Sequence, residues 1–226
     1  MSHLISLTAV HDGFAFSALH AKAHGAVSRG AVIVIQEIFG LDKYVYEDVA
    51  RWSALGFEVL APSMFDRQEQ GFTAEHNAEG IAKGRDYAMA NGPENAMGDI
   101  AACVAALKAS GPVFLTGYCY GGTMAWLAAS RVPGLAAAAS YYGGGVAAMA
   151  HLPLACPVIV HLGRKDAHIP ADEVKSAILA ARPQTPVHIY EKSGHGFNND
   201  GVEAQDPDEA ALARQRTLDF FLQAVA

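Results

Sequence analysis

The sequence predicts a mostly parallel, doubly wound α/β sheet, and three features predict it. Short, uniformly apolar runs such as Ala31-Val32-Ile33-Val34-Ile35 read as strands covered on both faces. Segments with apolar residues at helical spacing, such as Val45, Val49 and Trp52, separate these runs. Strand and helix then alternate to the end of the 226 residues with no repeat, low-complexity tract or linker, so one domain over 1–226 is expected.

Each element has its own signal. Apolar runs at 4–10 and 14–20 flank His11-Asp12-Gly13, and Asp-Gly between apolar runs marks a hairpin, so the chain is expected to open with an antiparallel pair. The strand at 31–35 ends at Gln36-Glu37-Ile38-Phe39-Gly40. A helix over about 43–55, stopped by Gly56, leads to a strand at 57–61. From 62 to 92 the pattern loosens into a polar excursion rich in Glu, Gln, Gly and Asn, expected to form a cap or loop wall. Pro93 marks the start of a helix to about 110, with Ile100, Val104 and Leu107 on one face. A strand from 113 then runs into a helix at 123–131. Strands at 135–142, 157–162 and 187–191 and helices at 170–181 and 207–225 complete the reading.

Composition excludes several function classes. A net charge of -7, with the 16 Lys and Arg forming no run, leaves no basic footprint for nucleic acid or an anionic membrane. Between Lys108 and Arg164 the only formal charge is Arg131, but Gly and Pro interrupt that span, which reads as buried core and not as a membrane segment. The beginning Met1-Ser2-His3-Leu4-Ile5 lacks a basic region and a long apolar region, so a cytoplasmic protein is expected. Cys103, Cys119 and Cys156 have neither disulfide nor zinc spacing, and no His-x-x-x-His pair falls on a predicted helix; no metal is expected. A small-molecule substrate and a monomer or small homo-oligomer complete these expectations.

The chemistry centres on Gly117-Tyr118-Cys119-Tyr120-Gly121-Gly122, where an apolar strand meets a helix. A turn this sharp needs nearly side-chain-free positions two before and two after its central residue, and it exposes Cys119 at a helix N-terminus. There a thiolate is favoured and free backbone N–H groups can hold an oxyanion. Asp166 and His195 follow the strands predicted at 157–162 and 187–191, so all three residues fall at strand C-terminal ends, which converge on one crevice. Their order, nucleophile then acid then histidine, is that of α/β hydrolases. His195 suits proton exchange near neutral pH, and Asp166 would hold its tautomer. The oxyanion donors are expected to be the N–H groups of Tyr120 and Ile38. His161 and His188, within strands, and His168 are weaker candidates.

Gln36-Glu37-Ile38-Phe39-Gly40, the cysteine elbow, Asp166 and Gly194-His195-Gly196-Phe197 together resemble the dienelactone hydrolase family of α/β hydrolases over nearly the whole chain. The resemblance implies hydrolysis of the ring ester of dienelactone to maleylacetate through a cysteine acyl-enzyme, without a cofactor, and a part for Glu37 in activating Cys119. It also implies a carboxylate anchor: Tyr87 matches the family's tyrosine, but Lys83 stands where an arginine is usual, with Arg85 nearby, and nothing basic follows His195 until Arg214. Lys83, Arg85 and Tyr87, with Phe39 and Phe197, are therefore the expected substrate-binding residues. The alternatives are a carboxylesterase or thioesterase of other substrate range and a non-catalytic binding domain.

Overall fold

The computed structural model describes residues 2–25 and 28–226. Strands β1 (His3–Thr8) and β2 (Ala15–Ala21) pair antiparallel around the Asp12-Gly13 turn, where Gly13 takes φ 73°. All five residues of β3 (Ala31–Ile35) are buried. Helix α1 (Lys43–Ala54) is capped by the Asp42 carboxylate, which accepts the Tyr44 and Val45 N–H groups, and it buries Val45, Val49 and Trp52. Strand β4 (Glu58–Pro62) follows, pairing antiparallel with β2 and parallel with β3.

The next element departs from the sequence reading. Helix α2 (Ala78–Leu107) begins fifteen residues before Pro93, so half of the expected loop excursion is helical. It is two helices joined at Gly92, whose φ of 67° and ψ of 169° break the first before Pro93 starts the second. Asn77 caps the beginning through the Gly80 N–H. Glycines at 80 and 84 weakened the periodic signal that would have revealed it.

Strand β5 (Val113–Tyr118), wholly buried, feeds α3 (Tyr120–Arg131). Strand β6 (Leu135–Tyr141), the one-turn helix α4 (Val146–Met149), β7 (Val158–Gly163), α5 (Ala171–Ala181), β8 (Val187–Tyr190) and α6 (Pro207–Gln223) follow. The eight strands form one sheet in the order β1-β2-β4-β3-β5-β6-β7-β8, parallel from β4 to β8. This is the doubly wound sheet with an antiparallel N-terminal hairpin that the sequence predicts. No helix among the described residues is long and apolar enough to cross a membrane.

A buried polar network fastens α6 to the sheet. Fully buried His161 on β7 places Nδ1 2.9 Å from the Tyr190 hydroxyl and Nε2 2.9 Å from Thr217 Oγ1. The Thr217 hydroxyl donates to the Ala213 carbonyl at 3.1 Å, so it accepts from His161 and from the Tyr141 hydroxyl, 2.7 Å away. That accounting suits a neutral imidazole protonated at Nε2. Burial pushes the His161 pKa well below its usual value, helped by the nearby His188 and Arg216. The unfolded chain therefore binds a proton below its ordinary histidine pKa that the folded chain refuses, and stability falls as pH drops below that point. We expect His161→Gln to lessen the acid-side loss of stability relative to wild type, by up to about 1.4 kcal/mol per pH unit. Urea unfolding across the pH range about 7 to 5 measures this, and parallel pH profiles for the two proteins would contradict it.

Candidate active site

The three candidate catalytic residues come from three strand ends: Cys119 and His195 line one cavity, and Asp166 holds His195 from outside it. Cys119 sits between β5 and α3 with φ 54° and ψ -109°, a strained conformation for a residue with a side chain. Close approach enforces it: a Cβ on Gly117 would lie 2.0 Å from the Gly121 carbonyl oxygen, and one on Gly121 would lie 2.4 Å from that of Ile35. The Cys119 N–H donates to the Tyr141 carbonyl at 3.0 Å, and the Gly121 N–H to the Gln36 carbonyl at 3.1 Å. The turn is thus tied to the strands on both sides of β5.

His195 Nδ1 lies 2.7 Å from Asp166 Oδ2. The other carboxylate oxygen of Asp166 accepts the backbone N–H groups of His168 at 2.8 Å and Ile169 at 3.1 Å, so the acid is clamped. Burial works against the charged form of Asp166, but the His195 hydrogen bond and charge and those two N–H groups outweigh it and lower its pKa. Burial also disfavours a charged His195, yet hydrogen bonds to Asp166 and Cys119 and their charges raise its pKa to about 10. An imidazolium is therefore favoured at neutral pH, with Nδ1 given to the acid and Nε2 left for the sulfur.

Glu37 lines the same cavity, 8% exposed. Asn199 Nδ2 donates to Glu37 Oε2 at 3.2 Å, while Oε1 is buried without a hydrogen-bond partner. Burial raises the Glu37 pKa, partly offset by the positive charge of His195. The carboxyl therefore holds a proton more readily than an exposed glutamate would, and it does so in the cavity that Cys119 also lines. The Tyr120 N–H, in the first turn of α3, has no intrahelical acceptor, and the Ile38 N–H donates to no backbone acceptor among the described residues. Both are free to face an oxyanion.

The cavity encloses about 590 Å³, within the range of small-molecule sites. Its apolar wall is made by Phe39, Ile81, Ile169 and Val202, and its polar lining includes Arg85, His76, His168 and Thr123. Another cavity of about 640 Å³ lies at the opposite end of the sheet, beside Cys156, Arg182 and Phe220. None of the candidate catalytic residues reaches it. No cluster of His, Cys, Asp and Glu suited to a metal occurs among the described residues.

Three expected substrate-binding residues lie elsewhere. Lys83 Nζ pairs with Glu69 at 2.6 Å, and the Tyr87 hydroxyl donates to the same carboxylate at 2.7 Å. On the α2 helix, residues two apart point to nearly opposite faces, so Ile81 and Arg85 look into the cavity while Lys83 and Tyr87 look away. Phe197 is fully buried beneath the His195 loop, with its ring against Tyr142 and Tyr190. Phe39 and Arg85 do line the cavity.

Sequence reasoning missed His76, which stacks on Phe39 at 3.7 Å and bonds through Nε2 to Asp42 at 2.7 Å. It also passed over Asn199, the partner of Glu37. Neither follows a strand directly or belongs to a periodic pattern, so only the folded excursion and the loop after His195 bring them in.

The chain has recognisable relatives in sequence and in fold. Residues 16–225 match the model of the dienelactone hydrolase family. The chain is 31% identical over 225 residues to a carboxymethylenebutenolidase of Pseudomonas putida, covering 93% of this chain and 92% of that one. It is 27% identical over 212 residues to a carboxymethylenebutenolidase of a Pseudomonas species, covering 89% and 86%. Among solved structures, a Klebsiella pneumoniae protein provisionally named a dienelactone hydrolase superposes with a TM-score of 0.83 at 25% identity, covering 98% of this chain and 99% of that one. A sheet with this strand order, a cysteine at the elbow and a family match from β2 to the last helix lead to one assignment: the chain belongs to the dienelactone hydrolase family.

Proposed function

We propose that the protein hydrolyses small lactones or esters that bear a carboxylate, of the dienelactone type, through an acyl-enzyme on Cys119. The observation that carries this reading is the strained cysteine at a helix N-terminus sharing a cavity with His195, whose other ring nitrogen is bonded to Asp166. In the proposed course, Glu37 takes the thiol proton, leaving a thiolate beside protonated His195. The sulfur attacks the carbonyl carbon, and the resulting oxyanion receives the N–H groups of Ile38 and Tyr120. Collapse breaks the carbon–oxygen bond of the ester, and His195 gives its proton to the leaving oxygen. Water then attacks the thioester with neutral His195 taking its proton. Collapse expels the Cys119 thiolate and releases the acid, and Glu37 gives its proton back to the sulfur, so that thiol, Glu37 carboxylate and protonated His195 are restored.

Arg85 is the only Arg or Lys among the described lining residues, so it is the proposed carboxylate anchor. The mainly apolar wall and the diversion of Lys83 to Glu69 favour a second reading, an esterase of neutral substrates. A panel of anionic and neutral esters separates the two. Under the first reading, Arg85→Gln raises KM for anionic substrates by about tenfold, an effect that Lys83→Gln does not reproduce. Equal effects on both substrate classes would favour the neutral esterase. In the same panel Glu37→Gln lowers kcat for every substrate, and unchanged kcat would remove Glu37 from the reaction.

A further inference from the structure

The excursion does more than wall the cavity. It holds the segment after β3 that carries Ile38. Gly40 forms an isolated antiparallel bridge with Thr73, and the Ala74 N–H donates to the Phe39 carbonyl at 3.0 Å. The tightest contact comes from α2. A Cβ at Gly84 would lie 2.1 Å from the Ile38 carbonyl oxygen and 3.0 Å from both the carbonyl carbon and the Cβ of Ile38.

Nothing within the helix calls for glycine there. Position 84 is buried in the helix interior, where its φ lies outside the left-handed range and where alanine would be the better helix former. The contact with Ile38 accounts for it. On the other side of the segment, the Gly121 N–H of the elbow helix donates to the Gln36 carbonyl. The peptides around Ile38 are thus gripped between α3, which begins with Tyr120 directly after Cys119, and α2.

We infer that Gly84 is a positioning residue for hydrolysis: its bare backbone lets α2 seat the Ile38 peptides so that the Ile38 N–H points where the oxyanion forms. This rests on the reading of Ile38 as an oxyanion donor. A methyl group at 84 must push the Ile38 carbonyl aside. Because that carbonyl and the N–H flank the same Cα, the push turns the N–H away from the sulfur's target. Cys119, His195 and Asp166, on other segments, are left in place.

Two reactions of Cys119 separate positioning from general damage. Hydrolysis of a p-nitrophenyl ester builds an oxyanion; alkylation by iodoacetamide displaces iodide at a saturated carbon and builds none. Since loss of an oxyanion donor costs about 10²–10³ in kcat, Gly84→Ala is expected to lower kcat by about tenfold or more, with KM and the alkylation rate within about twofold of wild type. Gly80→Ala is the control: its Cβ would meet the Glu75 carbonyl oxygen at 2.0 Å and the Ala74 Cβ at 3.2 Å, equally crowded but with no contact to Ile38, and hydrolysis should persist. Ala74→Pro removes the N–H that holds the Phe39 carbonyl while leaving residue 84 as glycine, should show the same split, and carries the test if Gly84→Ala does not fold. Wild-type hydrolysis in the folded Gly84 variant, a parallel loss of hydrolysis and alkylation, or an equal loss in Gly80→Ala would overturn the inference. If Cys119→Ala is inactive and Gly84→Ala fully active, only the positioning role fails; if Cys119→Ala still hydrolyses at the wild-type rate, the proposed reaction itself fails.

Discussion

His195→Ala is expected to lower kcat by about 10²–10⁴-fold while the protein still folds. The imidazole sits on a loop with 30% of its side chain exposed, so its removal leaves no large cavity in the core. It does remove both the group that protonates the leaving oxygen and the base that activates water. A second consequence concerns pH. His195 holds its proton in the folded state up to a pKa of about 10, whereas the unfolded chain releases it near the ordinary histidine value. The associated stability is therefore complete below that value and is lost as pH rises through about 10. Wild type should lead the variant in melting temperature near neutrality, and the lead should shrink toward alkaline pH. A folded His195→Ala protein with activity within about threefold of wild type would remove His195 from the reaction.

Gly121→Ala is expected to be severely damaging to the elbow. The added carbon would lie 2.4 Å from the Ile35 carbonyl oxygen and 2.6 Å from that of Gln36. Both are backbone atoms at the end of β3, which is held between β4 and β5 in the middle of the sheet. Neither can retreat without breaking the register that places Cys119. Overpacking against fixed backbone is expected to cost about 3 kcal/mol or more, read as a fall in the urea midpoint and a loss of soluble, active protein. A variant within about 0.5 kcal/mol of wild type would mean that the elbow is far more pliable than its contacts imply.

The parts legible in the sequence were those with a local physical cause. The run at 31–35 could be placed because a strand covered on both faces must be uniformly apolar, and β3 has those bounds. Cys119, Asp166 and His195 could be proposed together because parallel strands deliver their C-terminal ends to one edge of the sheet. Substrate contacts were less legible because they depend on the facing of α2, whose first half was hidden by Gly80 and Gly84. Read as a loop, residues 83, 85 and 87 seemed one basic and aromatic group; as a helix, they divide between Glu69 and the cavity. Phe197 looked like a binding residue because it adjoins His195, but its ring goes into the core under the loop. His76 had no local signal, since its place beside Phe39 arises only when the excursion folds back on the segment after β3.

The proposed reaction passes through a covalent acyl intermediate on Cys119. Mixing the enzyme with a slowly hydrolysed activated ester, quenching in acid within the first turnover and digesting the protein allows the acylated peptide to be found by mass spectrometry. The expected result is the mass of one acyl group on the peptide containing Cys119, released by hydroxylamine and absent from Cys119→Ala, which should also lack turnover. An acyl group on any other residue, or a Cys119→Ala protein that hydrolyses the ester at the wild-type rate, would contradict it.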